Sequence, residues 1–239
     1  MNNMIEIEIV KDVLDANRVV AEENRKILRQ HAIFAINIMG SPGAGKTLIL
    51  EQTLTHLENE LPIGIIQGDI ATTLDSQRLQ RFDVPIIQIN TERFGGDCHL
   101  GANLVRKAIK SLNLSEIQLL FIENVGNLVC PAEFDIGENL KMVVFSVTEG
   151  EEKPLKYPLM FRECELVLIN KIDLLTHLDV RIDYLINNIR SVNPLSKIIN
   201  LSATTGDGID EWISYLLKRV HGTKKIKKSL GRKTNLRCE

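Results

Sequence analysis

The chain has 239 residues, 44% hydrophobic and 25% charged, which suits a globular body with its own core; no apolar run approaches the roughly 18–20 residues that a bilayer crossing needs. The formal net charge of −2 hides an asymmetry, because residues 218–239 carry nine Lys or Arg against Glu239 and leave about −10 on the remainder. A body that acidic lacks the basic face of a nucleic-acid binder, and the four scattered cysteines are too few for a disulfide scaffold. The compartment therefore reads as reducing and cytoplasmic, and the first residues, Met-Asn-Asn-Met-Ile-Glu, do not resemble a secretory signal.

Residues 10–30 set Val10, Val13, Leu14, Val20, Ile27 and Leu28 among charged neighbours, which predicts an amphipathic helix packed on the sheet. Apolar, β-rich runs then recur at 33–39, 63–67, 84–90, 117–122, 141–147, 165–169 and 197–201. Most are hydrophobic throughout, as in strands covered on both faces. Helical spacing fills the gaps at 46–60, 73–81, 98–112, 178–190 and 209–220, with Asp207-Gly208 turning into the last. The pattern predicts an α/β fold, doubly wound around a mostly parallel sheet. Residues 1–30 read as a helical extension, 31–222 as the nucleotide-binding domain, and 223–239 as a basic, disordered tail without apolar periodicity.

Residues 40–47, Gly40-Ser41-Pro42-Gly43-Ala44-Gly45-Lys46-Thr47, satisfy the phosphate-loop pattern G-x-x-x-x-G-K-[ST] where a predicted strand hands over to a predicted helix. The glycines let backbone amides along the loop, those of Ser41 and Ala44 included, turn toward phosphate oxygens, and the helix N-terminus adds its positive end. Lys46 reaches the β- and γ-phosphates as a point charge, and the Thr47 hydroxyl faces Mg²⁺. A glycine-rich turn is the bland alternative, and the strand–loop–helix context weighs against it.

Asn170-Lys171-Ile172-Asp173 closes another strand at the same edge of the sheet. A carboxylate at Asp173 can accept from both the ring N–H and the exocyclic amine of guanine, which adenine cannot supply, while the Lys171 stem covers the base. Ser202-Ala203-Thr204, after the last strand, would complete the base pocket with a backbone N–H. Glu123-Asn124-Val125-Gly126 stands where a phosphate-loop hydrolase often presents Asp-x-x-Gly, so Glu123 can orient the hydration shell of Mg²⁺ and Gly126 can give its amide to the γ-phosphate. Asp69 and Asp75 are further carboxylates for the metal or the attacking water; for Asp75 a solvated helical carboxylate is an equal reading. Lys46, Asp69 and Glu123 are thus the candidate catalytic set, with Thr47, Asp69, Asp75 and Glu123 toward Mg²⁺. Asn127 stands where faster hydrolases carry Gln, which predicts slow intrinsic turnover.

Two cysteines sit close to this machinery in sequence. Cys130 follows Gly126 by four residues, and Cys98-His99 opens a predicted helix after Gly95-Gly96-Asp97, where a thiolate has a lowered pKa. Two thiolates and an imidazole suit Zn²⁺ or Ni²⁺; an inert buried cysteine is the alternative. Cys164 reads as core and Cys238 as incidental, and His31, His56, His177 and His221 are isolated in sequence.

Residues 123–131, Glu-Asn-Val-Gly-Asn-Leu-Val-Cys-Pro, taken with Cys98-His99-Leu100 and the phosphate loop, closely resemble the HypB family of hydrogenase nickel incorporation proteins. The likeness runs over residues 10–220 and includes Gly68-Asp69 with Thr72 and Asp75, and Glu149 to Pro158. It implies a GTPase of the dimerising, SIMIBI type. It implies further that a homodimer promoted by GTP or metal holds Ni²⁺ or Zn²⁺ near its interface through Cys98, His99 and Cys130. Nickel would go to the [NiFe]-hydrogenase large-subunit precursor with a HypA-type partner. Lys153 matches a family lysine in the nucleotide-dependent interface, with a surface lysine as the alternative. Gly101 stands where the family pattern has an acidic residue, and the Cys-rich and His-rich nickel stretches of some members are absent, which argues against nickel storage.

Three other readings compete. A urease-type accessory GTPase shares the architecture, but its Cys-Pro-His and Glu-Ser-Gly-Gly sequences are absent; a metal-binding adaptor would keep its nucleotide as a structural part; a small-molecule kinase would have little use for Asn-Lys-x-Asp. The basic tail reads as a solvated extension or as a dock for an acidic partner.

Overall fold

Seven strands form one parallel sheet: β1 (Phe34–Met39), β2 (Ile63–Asp69), β3 (Ile86–Asn90), β4 (Leu119–Glu123), β5 (Leu140–Ser146), β6 (Leu166–Asn170) and β7 (Lys197–Asn200). Their spatial order is β3-β2-β4-β1-β5-β6-β7, with every neighbouring pair parallel. The computed structural model describes the backbone over residues 3–69, 78–91 and 99–234, and side chains over 12–68, 78–91 and 99–222. All seven predicted strands are present, their ends shifted by no more than two residues.

The continuous apolar runs have the predicted cause, since both faces of the sheet are covered. On one face Phe34, Ile36 and Ile38 of β1 meet Leu50 and Leu54 of α2 (Lys46–Leu57) and Trp212 and Leu216 of α8 (Ile209–Thr234). The buried indole N–H of Trp212 donates to Thr53 Oγ1 at 2.9 Å, which ties α8 to α2. On the other face Ala35 and Ile66 meet Leu28 of α1 (Asn3–His31) and Leu104, Val105 and Ile109 of α3 (Ala102–Ser111). Further along that face Val143, Phe145 and Val167 pack with Phe161 of α6 (Pro158–Glu163) and with Leu185 and Ile189 of α7 (Ile182–Val192). Burying one such leucine or phenylalanine contributes about 1.5–3 kcal/mol.

Several boundaries differ from the sequence reading. Helix α3 starts at Ala102 rather than at residue 98, because Asn17 of α1 accepts from the Ala102 N–H at 2.9 Å and Gly101 is extended. A Cys98 thiolate at that helix N-terminus is thereby corrected: the helix begins four residues later. The stretch ahead of α7 is a 3-10 helix, Ile172–His177. Helix α1 lies chiefly against α3 rather than flat on the sheet, and Arg25 Nη2 bonds both oxygens of Asp135 at 2.8 Å. Helix α8 continues to Thr234, through much of the segment read as a disordered tail; lysine and arginine are good helix formers, and no proline interrupts residues 209–234. Two single-turn helices, α4 (Cys130–Glu133) and α5 (Lys153–Lys156), are too short for periodicity to find. The predicted helix at 73–81 lies mostly outside the described residues. No helix among the described residues is long and apolar enough to cross a membrane.

Strand β1 lies between β4 and β5, so the chain leaves the sheet in opposite directions on its two sides. Such a switch point opens a crevice at the carboxyl ends of the strands, where the loops after β1, β4, β6 and β7 gather.

Candidate nucleotide and metal site

The loop after β1 and the first turn of α2 wall a cleft of about 380 Å³ together with Gln67, Glu123 and Gly126. Gly45 has φ +99°, and a Cβ there would lie 2.3 Å from Asn170 Nδ2, so glycine is required twice over. Lys46 is 8% exposed, and its ammonium donates to the carbonyls of Gly40 and Ser41 at 3.1 Å, which holds the charge against the loop it serves. Ser41 Oγ donates to Glu149 Oε2 at 2.5 Å, and Glu149 Oε1 accepts from Ser146 N–H, so the loop is braced against the end of β5. Gly126 lies so close to Pro42 that a Cβ would meet its ring and nitrogen at 3.0 Å; the loop after β4 therefore touches the phosphate loop directly.

The base corner is equally well built. Asn170 Nδ2 donates to the Ala44 carbonyl (2.9 Å) while its Oδ1 accepts from Ala203 N–H (3.1 Å), one amide stapling three loops. Lys171 has φ +64°, and its Nζ donates to the Gly43 carbonyl at 2.7 Å, which extends the aliphatic stem across the corner. Asp173 Oδ1 is buried with no hydrogen-bond partner, the condition of an acceptor built for a donor outside the chain. Ser202 Oγ accepts from the N–H groups of Thr204 and Thr205, which with the Asn170–Ala203 bond fixes the loop after β7 at this corner.

Glu123 is 5% exposed at the end of β4. Thr47 Oγ1 donates to its Oε1 at 2.8 Å and Gln67 Nε2 to its Oε2 at 2.8 Å. Gln67 Oε1 is buried without a partner. These are hard oxygen donors beside the phosphate loop and fit Mg²⁺, which binds one or two protein oxygens and keeps its waters. Gln67 was not singled out in the sequence; its mark there is a lone amide in an apolar strand, two residues before Asp69. Asp69 ends β2, its side chain outside the described residues, as Asp75 and Cys98 are altogether.

On the other side of Gly126 lie His99 and Cys130. Cys130 opens α4, and Asn127 Nδ2 donates to its Sγ at 3.6 Å. The Asn127 N–H donates to the Gly40 carbonyl at 3.1 Å, so one residue joins the phosphate loop to the thiol. The His99 ring stacks on Phe134, just past the other end of α4, at 3.7 Å between centroids and 24° between planes. His99 thus touches the residue that follows the helix Cys130 opens. Among the described residues no three His, Cys, Asp or Glu converge as a complete metal site, and Cys98, the third expected ligand, lies outside them. Cys164 is 1% exposed in the core, where burial pushes its thiol up, as expected for an inert cysteine.

Comparison with known proteins gives the family. The model of the CobW/HypB/UreG nucleotide-binding domain matches residues 34–200. The hydrogenase maturation factor HypB of Escherichia coli K12 is 47% identical over 213 residues, 89% of this chain and 72% of that protein. The chain belongs to the HypB family. The crystal structure of HypB from Archaeoglobus fulgidus is 40% identical with a TM-score of 0.81, covering 87% of this chain and all of that one. HypB from Helicobacter pylori, crystallised in complex with nickel, is 31% identical at the same TM-score, covering 87% and 96%. A LAO/AO transport system kinase, 14% identical with a TM-score of 0.54, shares the fold alone.

Within this HypB-family chain Lys153, a predicted nucleotide ligand, follows β5 rather than β1, β4, β6 or β7. It opens α5, and its ammonium lies 5.2 Å from the Tyr157 ring centroid. The remaining described candidates, Gly40, Ser41, Gly43, Ala44, Gly45, Lys46, Thr47, Glu123, Gly126, Asn170, Lys171, Asp173, Ser202 and Ala203, all lie in the loops after β1, β4, β6 and β7, on those strand ends, or at the start of α2. Sequence reasoning missed Glu149 as the brace of Ser41 and Gln52, whose Nε2 holds the Ala203 carbonyl at 3.0 Å.

Proposed function

We propose that this hydrogenase maturation factor is a GTP-hydrolysing metallochaperone that assists nickel insertion into the [NiFe]-hydrogenase large subunit. The observation that carries the reading is Asn127, bonded to the phosphate loop through Gly40 and to Cys130 through its side chain. A change at the γ-phosphate would move Gly126 against Pro42 and, one residue on, the amide that holds the thiol. Nucleotide state and metal affinity are then linked reciprocally.

Each group has a role in this scheme. Asp173 supplies the missing acceptor for guanine, and the wrong base would leave it buried and unpaired, a strong discriminator. Lys46 neutralises charge on the transferred phosphoryl group, while Thr47, Glu123 and Asp69 would hold Mg²⁺ and its waters, with Asp75 nearby in sequence. Magnesium, when bound, would supply charge stabilisation at the phosphates, and the chain would align the attacking water. Asn127 in place of a water-orienting Gln makes turnover slow. Cys98, His99 and Cys130 would carry Ni²⁺ or Zn²⁺ as cargo at a homodimer interface, with Lys153 reaching the nucleotide of the partner subunit. A HypA-type protein and the hydrogenase precursor are the proposed donor and acceptor. The nickel complex of the Helicobacter pylori relative supports the cargo.

The test is turnover and assembly together. GTP should be preferred to ATP by at least about a hundredfold, intrinsic kcat should stay below about 1 s⁻¹, and sedimentation should give a dimer with a GTP analogue plus nickel. Equal use of ATP, or faster unassisted turnover, contradicts the proposal.

A further inference from the structure

Three buried polar side chains, one of them, Asn124, lining the cleft, have no role in the chemistry above. Asn37 sits within β1, Asn124 just past β4 and Glu138 just before β5, at 0%, 1% and 7% exposure. Polar groups in the middle of a sheet are costly unless their bonds are made, and here they are made in series. Glu138 Oε2 accepts from Ile136 N–H (2.9 Å) and its Oε1 from Asn37 Nδ2 (3.3 Å). Asn37 Oδ1 accepts in turn from Asn124 Nδ2 (3.2 Å). This fixes the Asn124 amide one way round, leaving its Oδ1 to accept two backbone N–H groups: Leu100 at 2.9 Å and Val125 at 3.0 Å.

The two N–H groups belong to different loops. Leu100 follows His99 directly, and Val125 opens the loop that runs through Gly126 and Asn127 to Cys130. One oxygen thus holds the roots of both segments that carry the described metal-ligand candidates. β4 ends at Glu123 and α3 begins only at Ala102, so the Asn124 oxygen joins the His99 segment to a loop that Asn124 N–H itself ties to the Ile38 carbonyl of β1.

We infer that Asn124 is a positioning residue for the metal site, its Oδ1 holding the His99 segment and the Cys130 loop in register while Asn37 and Glu138 fix the orientation of its amide. The inference rests on the proposed metal role of His99 and Cys130 and goes beyond it by assigning the assembly of the site to a side chain that is not a ligand. Asparagine fits because it presents an acceptor outward and a donor inward at once. Alanine would keep the fold's apolar contacts and release both loop roots.

The experiment uses the full chain with Co²⁺ as a spectroscopic probe of thiolate ligation, Zn²⁺ affinity from competition with a chromophoric chelator, and GDP affinity alongside. Cys130→Ala should weaken and shift the sulfur-to-cobalt band, with Cys98 left to contribute. Asn124→Ala should weaken Zn²⁺ about tenfold or more beyond any loss of GDP affinity and alter the cobalt spectrum, and Asn37→Ala should do the same to a smaller extent. Wild-type zinc affinity and spectrum in Asn124→Ala, with the band altered in Cys130→Ala, overturns this inference alone. A band identical to wild type in Cys130→Ala removes the metal role of Cys130, and the inference with it. If both asparagine variants fail to fold, hydrogen exchange in the wild type decides: a slowly exchanging Leu100 amide supports the anchor, and exchange at the rate of an exposed amide overturns it.

Discussion

The base corner and the metal loops flank the same phosphate loop and are built by opposite means. Asn170 ends a strand buried on both faces, and Lys171 and Asp173 follow it at once, so the sheet places the base corner and hydrogen bonds to Gly43, Ala44 and Ala203 only refine it. His99 lies between β3 and α3, and Cys130 opens the one-turn α4. Backbone bonds from Asn124 and Asn127 tie the Cys130 loop to β1 and Gly40, and the side chains of the same two residues add the bonds that reach Leu100 and the thiol. A rigid corner suits a ligand that must be recognised the same way in every cycle, while loops held by a few bonds suit a cargo that must be released.

The contrast can be broken most severely at the base corner. Asp173→Asn should cost about 3 kcal/mol or more of GDP affinity, roughly a hundredfold, and shift preference toward xanthosine diphosphate, measured by calorimetry with both nucleotides. Unchanged GDP affinity would mean that the buried oxygen does not face the base. Next in size, Gly45→Ala forces a methyl onto Asn170 in a left-handed backbone and should lower stability by about 1–3 kcal/mol, read from thermal unfolding, with GDP protecting the variant less than the wild type.

That division also explains what the sequence made legible. Seven apolar runs at helix-sized intervals carried the strands, and the phosphate loop and Asn-Lys-x-Asp carried the base corner, because all of these are local in the chain. The bracing of Ser41 by Glu149 and of Ala203 by Gln52 joins residues more than a hundred positions apart, which no local pattern reveals. The true start of α3 was hidden for the same reason: its cap is Asn17, on another helix. Gln67 and Asn124 look like ordinary polar residues next to motif positions until burial and orphaned or shared bonds mark them.

Smaller effects sharpen the other side. Asn127→Ala removes the bond to Cys130 while leaving the backbone bond to Gly40, and should shrink the nucleotide dependence of metal affinity by about 1 kcal/mol; no change in that dependence would assign the coupling elsewhere. Smallest is the docking of α1. Burial raises the Asp135 carboxyl, but the bonds from Arg25 and Gly137 N–H outweigh it and hold the group below its ordinary value. A depressed carboxyl contributes stability above its unfolded pKa, near 4, and loses it as pH falls through the lower folded value. With both side chains partly exposed the effect is at most about 1 kcal/mol, and Arg25→Ala should flatten the acid limb of an unfolding-versus-pH series. An acid limb unchanged in that variant would show the pair to be without weight.

In the proposed scheme one junction, from Gly40 through Asn127 to Cys130, joins nucleotide to cargo. Titration of Ni²⁺ into the GDP-bound protein and into the protein bound to a non-hydrolysable GTP analogue tests it most directly, with Cys130→Ala beside the wild type. Two different affinities in the wild type, converging in the variant, are the predicted result; the same wild-type affinity in both nucleotide states would contradict it.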